Sequence, residues 1–388
     1  MSSADHTDDT DTLTAYLYPA GHLGHLSDQQ RQLLSEFKTL CAERKQYTPG
    51  SSTQRPSTDD ATLLRFLRAR KFQLEPAYNQ FVTTERWRRE NQLTELYEKI
   101  DIDEYEATRR LYPQWTGRRD RRGMPVYLFD VAPLKTSAVF AYEQAKSLKR
   151  VSRIFRGFEA DSTKSPIKML RLFALYENLC RFISPWSTTI DGRPHTETPI
   201  TQGNNIIDIS GVGLKQFWDL KNHMQDSSQL ATAHYPETLD SIFVIGAPSF
   251  FPTVWNWIKR WFDPIVVSKI HVVAAADVYT TLAKYIAPAD IPKKFGGQLD
   301  FKFGDMPNID PAMARQLTWG DGATMVAGQH TVPIGPIRWE EGENGEMVAL
   351  AVGCEQGQPR RKVVATLDKK YAHIFFPSDA GTEGKSST

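Results

Sequence analysis

From about Met124 onward, short β-rich runs alternate with helix-length segments, and that order restricts the chain to few architectures. Val126 to Val131 is the first run, followed by a helical stretch from Ser137 to about Glu159. Ile206 to Ile209 is the second, closed by Gly211 and Gly213 and followed by a helix near Leu214 to Ala231. Ser241 to Ile245 is the third, followed by an aromatic segment at 250–262. Ile270 to Ala274 is the fourth, followed by Tyr279 to Ile286. Parallel strands need a crossover of a dozen or more residues, usually helical. The interleaving therefore predicts an α/β domain with a mainly parallel sheet.

The flanks have other textures. Residues 1–26 are rich in Asp, Thr and His without periodicity, which predicts a mobile tail. Ser27 is a good N-cap for a helix carrying Leu33, Leu34, Phe37 and Leu40. Pro49, Gly50 and Pro56 mark a loop. Asp59 or Asp60 caps a short basic helix, Ala61 to Lys71. Its apolar face is Leu63, Leu64, Phe66 and Leu67, and its other face, with Arg65, Arg68 and Arg70, reads as solvated. Pro76 opens a further helix with Phe81, Val82 and Trp87. Residues 27–110 thus form a helical subdomain, 111–300 the α/β domain and 301–388 a C-terminal extension. Within that extension Met347 to Val352 and Lys362 to Leu367 pair as a small β appendage. The interval 185–202, with Pro185, Gly192, Pro194 and Pro199, reads as a long polar loop.

Charge excludes one broad class of function. The 388 residues carry 47 Lys+Arg against 46 Asp+Glu, a net charge of +1, so no bulk electrostatic grip on nucleic acid is expected. No window reaches the ~18 uncharged apolar residues of a spanning helix, and Met1 to Asp11 is too acidic for a signal peptide. Cys41, Cys180 and Cys354 are scattered and odd in number, fitting neither a disulfide framework nor a zinc site. The expectation is a soluble protein of a reducing compartment, cytoplasmic in location.

Catalytic signatures are sparse. There is no Gly-x-Ser-x-Gly elbow for an α/β-hydrolase nucleophile. Gly384-Lys385-Ser386 mimics the end of a phosphate-binding loop, but Asp379 stands where the required glycine belongs. Gly211-Val212-Gly213 lacks the third glycine of a dinucleotide fingerprint. His22 and His25 have a metal-ligand spacing but sit in the tail without further ligands, so no metal and no cofactor are expected. The segment Ser249 to Phe262 carries more information. As a helix it places Phe251, Val254, Trp255, Ile258, Trp261 and Phe262 on one apolar stripe, with Trp257 off it beside Asn256 and Arg260. Such a helix suits a bilayer interface, and equally the core of an α/β domain; the pattern leaves both open. Lys269, placed where a predicted buried strand begins, needs an anion or a path to solvent.

At these residues the sequence resembles the CRAL-TRIO lipid-exchange family, specifically the fungal secretory-pathway phosphatidylinositol transfer proteins. The matching stretches are Leu64 to Phe72 (LRFLRARKF), Tyr112-Pro113-Gln114, Gly123 to Tyr127 (GMPVY) and Asp208 to Gly211 (DISG). They continue with Tyr235-Pro236-Glu237, Ala247-Pro248, Phe262-Asp263-Pro264 through Lys269-Ile270, and Pro292 to Gly297 (PKKFGG). Their order and spacing agree over roughly residues 60 to 300.

The resemblance implies a helical N-terminal subdomain and a CRAL-TRIO lobe whose sheet floors an apolar lipid pocket closed by a gate helix. Phe250, Phe251, Trp255, Ile258, Trp261 and Phe262 match that gate, and Gly296 and Gly297 would serve as its hinge. Carried over residue by residue, Arg70, Lys71, Glu237 and Lys269 form a phosphatidylinositol headgroup site. The family's threonine three residues before that lysine is Val266 here, so one hydroxyl contact is missing. The second-ligand positions are Thr116, Tyr127, Gly203, Asn205 and Ala231, mostly not the hydroxyls that phosphatidylcholine carriers place there. That departure implies another hydrophobic ligand, of which a sterol is favoured over haem. The function implied is a non-enzymatic lipid exchange protein that touches membranes such as Golgi, endosome or endoplasmic reticulum transiently. It would serve phosphoinositide signalling by presenting phosphatidylinositol to lipid kinases. The competing classes are a soluble α/β enzyme acting on a lipid, and a membrane-recruited adaptor whose residues 301–388 bind a partner.

Overall fold

The computed structural model describes residues 18–51, 54–134, 167–261 and 264–375. The predicted helix from Ser137 to Glu159, Phe262 and the loop mimic at Gly384 lie outside them.

Three helices form the N-terminal bundle: α1 (Asp28–Glu43), α2 (Asp60–Ala69) and α3 (Leu74–Glu90). Ser27 caps α1 as expected: its hydroxyl accepts from Gln30 N while the Gln30 side chain accepts from Ser27 N, satisfying two end donors reciprocally. Asp59 caps α2 by accepting from Thr62 N. Phe37, Leu63, Leu67 and Phe81 close the bundle core. Two short helices, α4 (Leu93–Lys99) and α5 (Ile102–Arg109), lead into the α/β domain.

That domain is built on a five-stranded sheet in the order β1-β2-β3-β4-β5. Strands β2 (Pro125–Asp130), β3 (Gly203–Asp208), β4 (Leu239–Ile245) and β5 (Ile270–Val273) are parallel, each near a predicted run. Strand β1 (Gln114–Arg119) pairs antiparallel with β2 and was not anticipated, because Gln-Trp-Thr-Gly-Arg-Arg carries no β-rich pattern. Alternation assigns the two faces. Val126, Leu128, Ile206, Phe243 and Ile245 pack outward on Leu282 and Ile286, at and just beyond helix α11 (Val278–Tyr285). Tyr127, Phe129, Asn205, Ile207, Ile242 and Val244 point to the other face. Over that face lie α6 (Ile167–Asn178), α8 (Leu214–His234) and α9 (Phe251–Ile258). The aromatic helix stops at Ile258 and continues as a 3-10 turn, Lys259–Trp261; α10 (Pro264–Ser268) leads into β5.

Several expectations need correction. Residues 18–26 are not a solvated tail: His22 is buried, and its Nδ1 donates to the carbonyls of Pro19 and Ala20. Residues 1–17 lie outside the described residues. The interval 185–202 is not a loop throughout, since α6 runs on through a π-helical turn, Leu179–Ile183, into α7 (Ser184–Thr188). Trp186, on α7, is fully buried. Arg65 and Arg68 are buried rather than solvated. Gly296 is left-handed at φ 85°, and a side chain on Gly297 would meet the Ile291 carbonyl oxygen at 2.0 Å. The pair therefore serves a close approach of backbone to backbone.

The C-terminal strands are more than an appendage. β6 (Leu317–Trp319), the hairpin β7 (Thr324–Val326) and β8 (Gln329–Thr331), and β9 (Ile337–Glu341) come first. β10 (Met347–Ala351), the ribbon β11 (Cys354–Glu355) and β12 (Gln358–Pro359), and β13 (Lys362–Leu367) follow. The predicted pairing of 347–352 with 362–367 is present, Met347 opposite Leu367, inside a four-stranded antiparallel sheet of order β6-β13-β10-β9. One core joins this sheet to the α/β domain. Trp339 stacks on Phe182 with centroids 5.6 Å apart, and its indole N–H donates to the Phe182 carbonyl at 3.1 Å. Trp115, Trp186 and Met347 complete it.

Candidate functional site

Between the inner face of the five-stranded sheet and helices α6, α8 and α9 lies a cavity of about 410 Å³. That is the scale of a site that encloses a small organic ligand, ~300–1,000 Å³. Its wall is mostly apolar: Leu172 and Leu175 from α6, Phe217 and Leu220 from α8, Phe251, Trp255 and Ile258 from α9. Phe251, Val254 and Ile258 are buried, whereas Trp257, off the stripe as expected, is 48% exposed.

One end of the cavity is charged. Glu237 follows α8 in a left-handed conformation (φ 56°) that turns its carboxylate between two cations. Lys269 Nζ donates to Glu237 Oε2 at 3.2 Å and to the Leu239 carbonyl at 2.8 Å. Arg68 Nη2 lies 3.1 Å from the same carboxylate oxygen. Burial pushes the Glu237 carboxyl up, but Lys269 and Arg68 more than offset this and hold it below its usual range. Arg68 in turn approaches His22 Nε2 at 2.5 Å. Burial, with Arg68 beside it, drives His22 down to about 4, so the imidazole is neutral and its Nε2 accepts. Arg70, just past the end of α2, also lines the cavity, as do Lys269 and Val266.

A domain description, "CRAL/TRIO domain", matches residues 109–297, and "CRAL/TRIO, N-terminal domain" matches 33–83. A "Sec14 cytosolic factor" of Schizosaccharomyces pombe is 31% identical over 72% of this chain and 86% of its own length. The chain belongs to the CRAL-TRIO family. A "SEC14 cytosolic factor" of Yarrowia lipolytica is 31% identical over 80% of this chain but only 56% of its own length. An Arabidopsis thaliana relative named "Phosphatidylinositol/phosphatidylcholine transfer protein SFH9" is 30% identical over 62% of this chain and 38% of that protein.

On this CRAL-TRIO lobe the expected site residues separate into two groups. Glu237 and Lys269 pair at the charged end, and Arg70 lines the same cavity; Lys71, with φ 51°, is exposed and outside the cavity wall. Tyr127, Gly203, Asn205 and Ala231 line the cavity. Thr116 does not: it is buried and donates its hydroxyl to the Val126 carbonyl at 2.9 Å. Phe250, Phe251, Trp255 and Ile258 line it from α9. Nothing is described of the Trp261 side chain.

Two features escaped the sequence. Arg68, read as one residue of a solvated basic face, is the cation that shares Glu237 with Lys269. Its signal was its place in Leu64-Arg65-Phe66-Leu67-Arg68, where both arginines sit among buried neighbours. The second feature is the Tyr127 hydroxyl, buried at the cavity wall without a hydrogen-bond partner among the described residues. Burial holds its phenol well above the usual value of 10. Gly203 makes room for it, since a Cβ there would lie 3.2 Å from the Tyr127 ring. Ser227 and Ser228 of α8 add further hydroxyls to the wall.

Among the described residues, no helix is long and apolar enough to cross a membrane.

Proposed function

We propose that this chain encloses single lipids and exchanges them between membranes, presenting phosphatidylinositol to lipid-modifying enzymes. One observation carries the reading: an apolar cavity under an aromatic helix carries a buried ion cluster, Lys269 and Arg68 on Glu237, with Arg70 as a further cation on its wall. Exposing a lipid tail to water costs ~0.8 kcal/mol per CH₂, so two acyl chains represent on the order of 25 kcal/mol. A carrier must therefore bury the tails and open only at a bilayer. The headgroup phosphodiester, an anion in a site with little water, needs cations and donors at its oxygens. Two of the three Lys269 donors are committed to Glu237 and Leu239, leaving one for a phosphate oxygen.

Helix α9 supplies the gate. Its inner residues line the cavity, while Trp257 packs against Trp218 of α8 on the outside, ring centroids 5.7 Å apart. Both rings are exposed, Trp218 by 41%, and form an aromatic pair suited to a membrane interface. Peripheral, transient membrane contact from the cytoplasm follows from this reading.

The second ligand is a sterol in preference to phosphatidylcholine. Gly203 and Ala231 offer no hydroxyl, Thr116 spends its own on the backbone, and the unpartnered Tyr127 hydroxyl suits a ligand with one polar group. The test is competitive loading from vesicles containing phosphatidylinositol, phosphatidylcholine and ergosterol, with extracted lipids identified by mass spectrometry. Phosphatidylinositol and ergosterol are expected in the bound fraction, chemically unchanged. Phosphatidylcholine loading equal to phosphatidylinositol would overturn the second assignment, and hydrolysed lipid would overturn the first in favour of an enzyme.

A further inference from the structure

Segment 18–26 and the loop after α7 meet through three metal-binding side chains at the surface, away from the cavity. His25 Nε2 lies 2.5 Å from Glu197 Oε1, and His195 Nδ1 lies 3.6 Å from the same oxygen. All three donor atoms fall within 4.8 Å of one another. The two imidazoles are perpendicular, centroids 4.7 Å apart at 89°, so the rings meet edge to face.

The surrounding backbone holds this arrangement. His195 is left-handed at φ 57°, a conformation that strains a residue with a side chain. The buried Arg193 guanidinium keeps it there, donating to the carbonyls of His195, Thr196 and Thr198 at 2.7, 3.0 and 2.7 Å. Thr198 ties the loop to the other segment by donating its hydroxyl to the Leu23 carbonyl at 2.8 Å. Gly24 clears the approach, since a Cβ there would lie 2.7 Å from Glu197 Cγ. Strain maintained by a clamp, with space kept for a carboxylate, is the form of a prepared ligand set.

We propose that His25, His195 and Glu197 bind a divalent transition-metal ion, zinc foremost, which staples residues 18–26 to the loop after α7. Two imidazoles and one carboxylate suit zinc and its neighbours cobalt and nickel; magnesium and calcium prefer all-oxygen sets. Donors around a tetrahedral zinc with bonds of about 2.0–2.1 Å sit about 3.4 Å apart, and separations of 2.5 and 3.6 Å need only small side-chain rotations to reach that. The exposed position of His195 and Glu197 leaves the fourth site to water. The stapled segment carries His22, whose contact with Arg68 backs the Arg68–Glu237 pair. The ion would thus hold His22 against the Arg68–Glu237 pair from outside the cavity.

The test uses the full chain, prepared without a polyhistidine tag and stripped by chelator, titrated with zinc, cobalt and magnesium by calorimetry. One equivalent of zinc, a cobalt absorption band of four-coordinate type and no magnesium heat are expected. Affinity should fall at least about tenfold in Glu197→Gln and in His25→Gln. His195→Asn is the third variant, because Asn tolerates the left-handed backbone and so separates lost ligation from lost folding. Zinc should raise the melting temperature of the parent chain and not of these variants, as ligand linkage requires. Folded parent protein without zinc heat at 100 µM would overturn the site. So would unchanged stoichiometric zinc binding in folded His25→Gln/His195→Asn protein, which would place the ion at other ligands.

Discussion

The two sheets of this protein are covered in opposite ways. The four-stranded antiparallel sheet lays Trp339, Met347, Ala349 and Leu367 against Phe182 and Trp186 with the interface filled. The five-stranded sheet fills its outer face equally well but leaves the inner one facing about 410 Å³ of cavity. Unfilled core costs about 24 cal/mol per Å³, so that face forgoes on the order of 10 kcal/mol of packing. On the proposed function, a bound lipid tail would restore it. The difference teaches that packing is divided between separate interfaces: the filled ones hold the fold, and the unfilled one, on the proposed function, holds the ligand.

The largest break of this comparison is removal of the filled interface. Deleting residues 301–375 strips the cover from Phe182 and the fully buried Trp186. Trp186→Ala alone should cost about 3–5 kcal/mol. The truncated chain is expected to lose cooperative unfolding by circular dichroism. A truncated protein that melts as sharply as the full chain would show that the second sheet is dispensable, and would revive the separable adaptor domain.

Next in size is the buried carboxylate that joins α3 to α6. Glu177, 3% exposed, accepts from Arg88 at 2.6 and 3.0 Å, from Arg181 at 2.6 Å and from the Tyr235 hydroxyl at 2.7 Å. Burial pushes its carboxyl up, but Arg88 and Arg181 prevail and bring it down to about 2. A folded value below the ordinary ~4.5 means its stabilisation is fully present above that pH and is lost as pH falls toward 2. Glu177→Gln should cost about 3–5 kcal/mol at pH 7 and flatten the acid limb of stability between pH 5 and 2. Equal acid sensitivity in the variant would count against this ion cluster as a structural tie.

How much of this was legible in the sequence follows the range of each interaction. The Ser27 cap and the four parallel strands were readable because caps and short β-rich runs are local. Strand β1 was not, because its polar residues become a strand only by pairing with β2. Arg68 looked solvated because a helical wheel cannot show His22 and Glu237 arriving from distant segments. Trp186 was lost in a Pro- and Gly-rich interval whose order comes from the C-terminal sheet and the Arg193 clamp. The family motifs marked Arg70, Glu237 and Lys269, all of which line the cavity, the last two as an ion pair. They marked Lys71 as well, which the fold leaves outside.

The third prediction addresses the charged end of the unfilled interface. Lys269→Ala with Arg70→Ala removes both cavity cations but leaves Glu237 its Arg68 partner. A lost charge-assisted hydrogen bond is worth about 1.5–3 kcal/mol, so phosphatidylinositol transfer should fall roughly 10- to 150-fold. The melting temperature should change little. Transfer at the parent rate by a double variant with parent stability would remove these residues from the headgroup site, and Lys71→Ala is the control expected to leave transfer nearly intact.

The smallest effect compares two buried tyrosines, one on each kind of interface. Tyr97, fully buried between α6 and the four-stranded sheet, donates its hydroxyl to the Ile337 carbonyl at 2.7 Å and accepts from Ile337 N at 3.1 Å. Tyr97→Phe takes this donor from the Ile337 carbonyl, while Ile337 N keeps Asn178 Oδ1 at 3.2 Å, and should destabilise by about 1–3 kcal/mol without touching the ligand. Tyr127 presents the opposite case. Its hydroxyl is buried at the cavity wall with no partner, so Tyr127→Phe removes a desolvated group and should leave the ligand-free protein as stable or slightly more so. A second ligand that uses this hydroxyl would lose a hydrogen bond of about 0.5–1.5 kcal/mol, a fall in affinity of roughly 2- to 13-fold. The two phenylalanine variants thus separate with opposite signs: one lowers the melting temperature and spares sterol loading, the other spares the melting temperature and lowers sterol loading. Ergosterol loading unchanged in Tyr127→Phe would mean that the hydroxyl faces no ligand, and the assignment of the second ligand by its single polar group would fall.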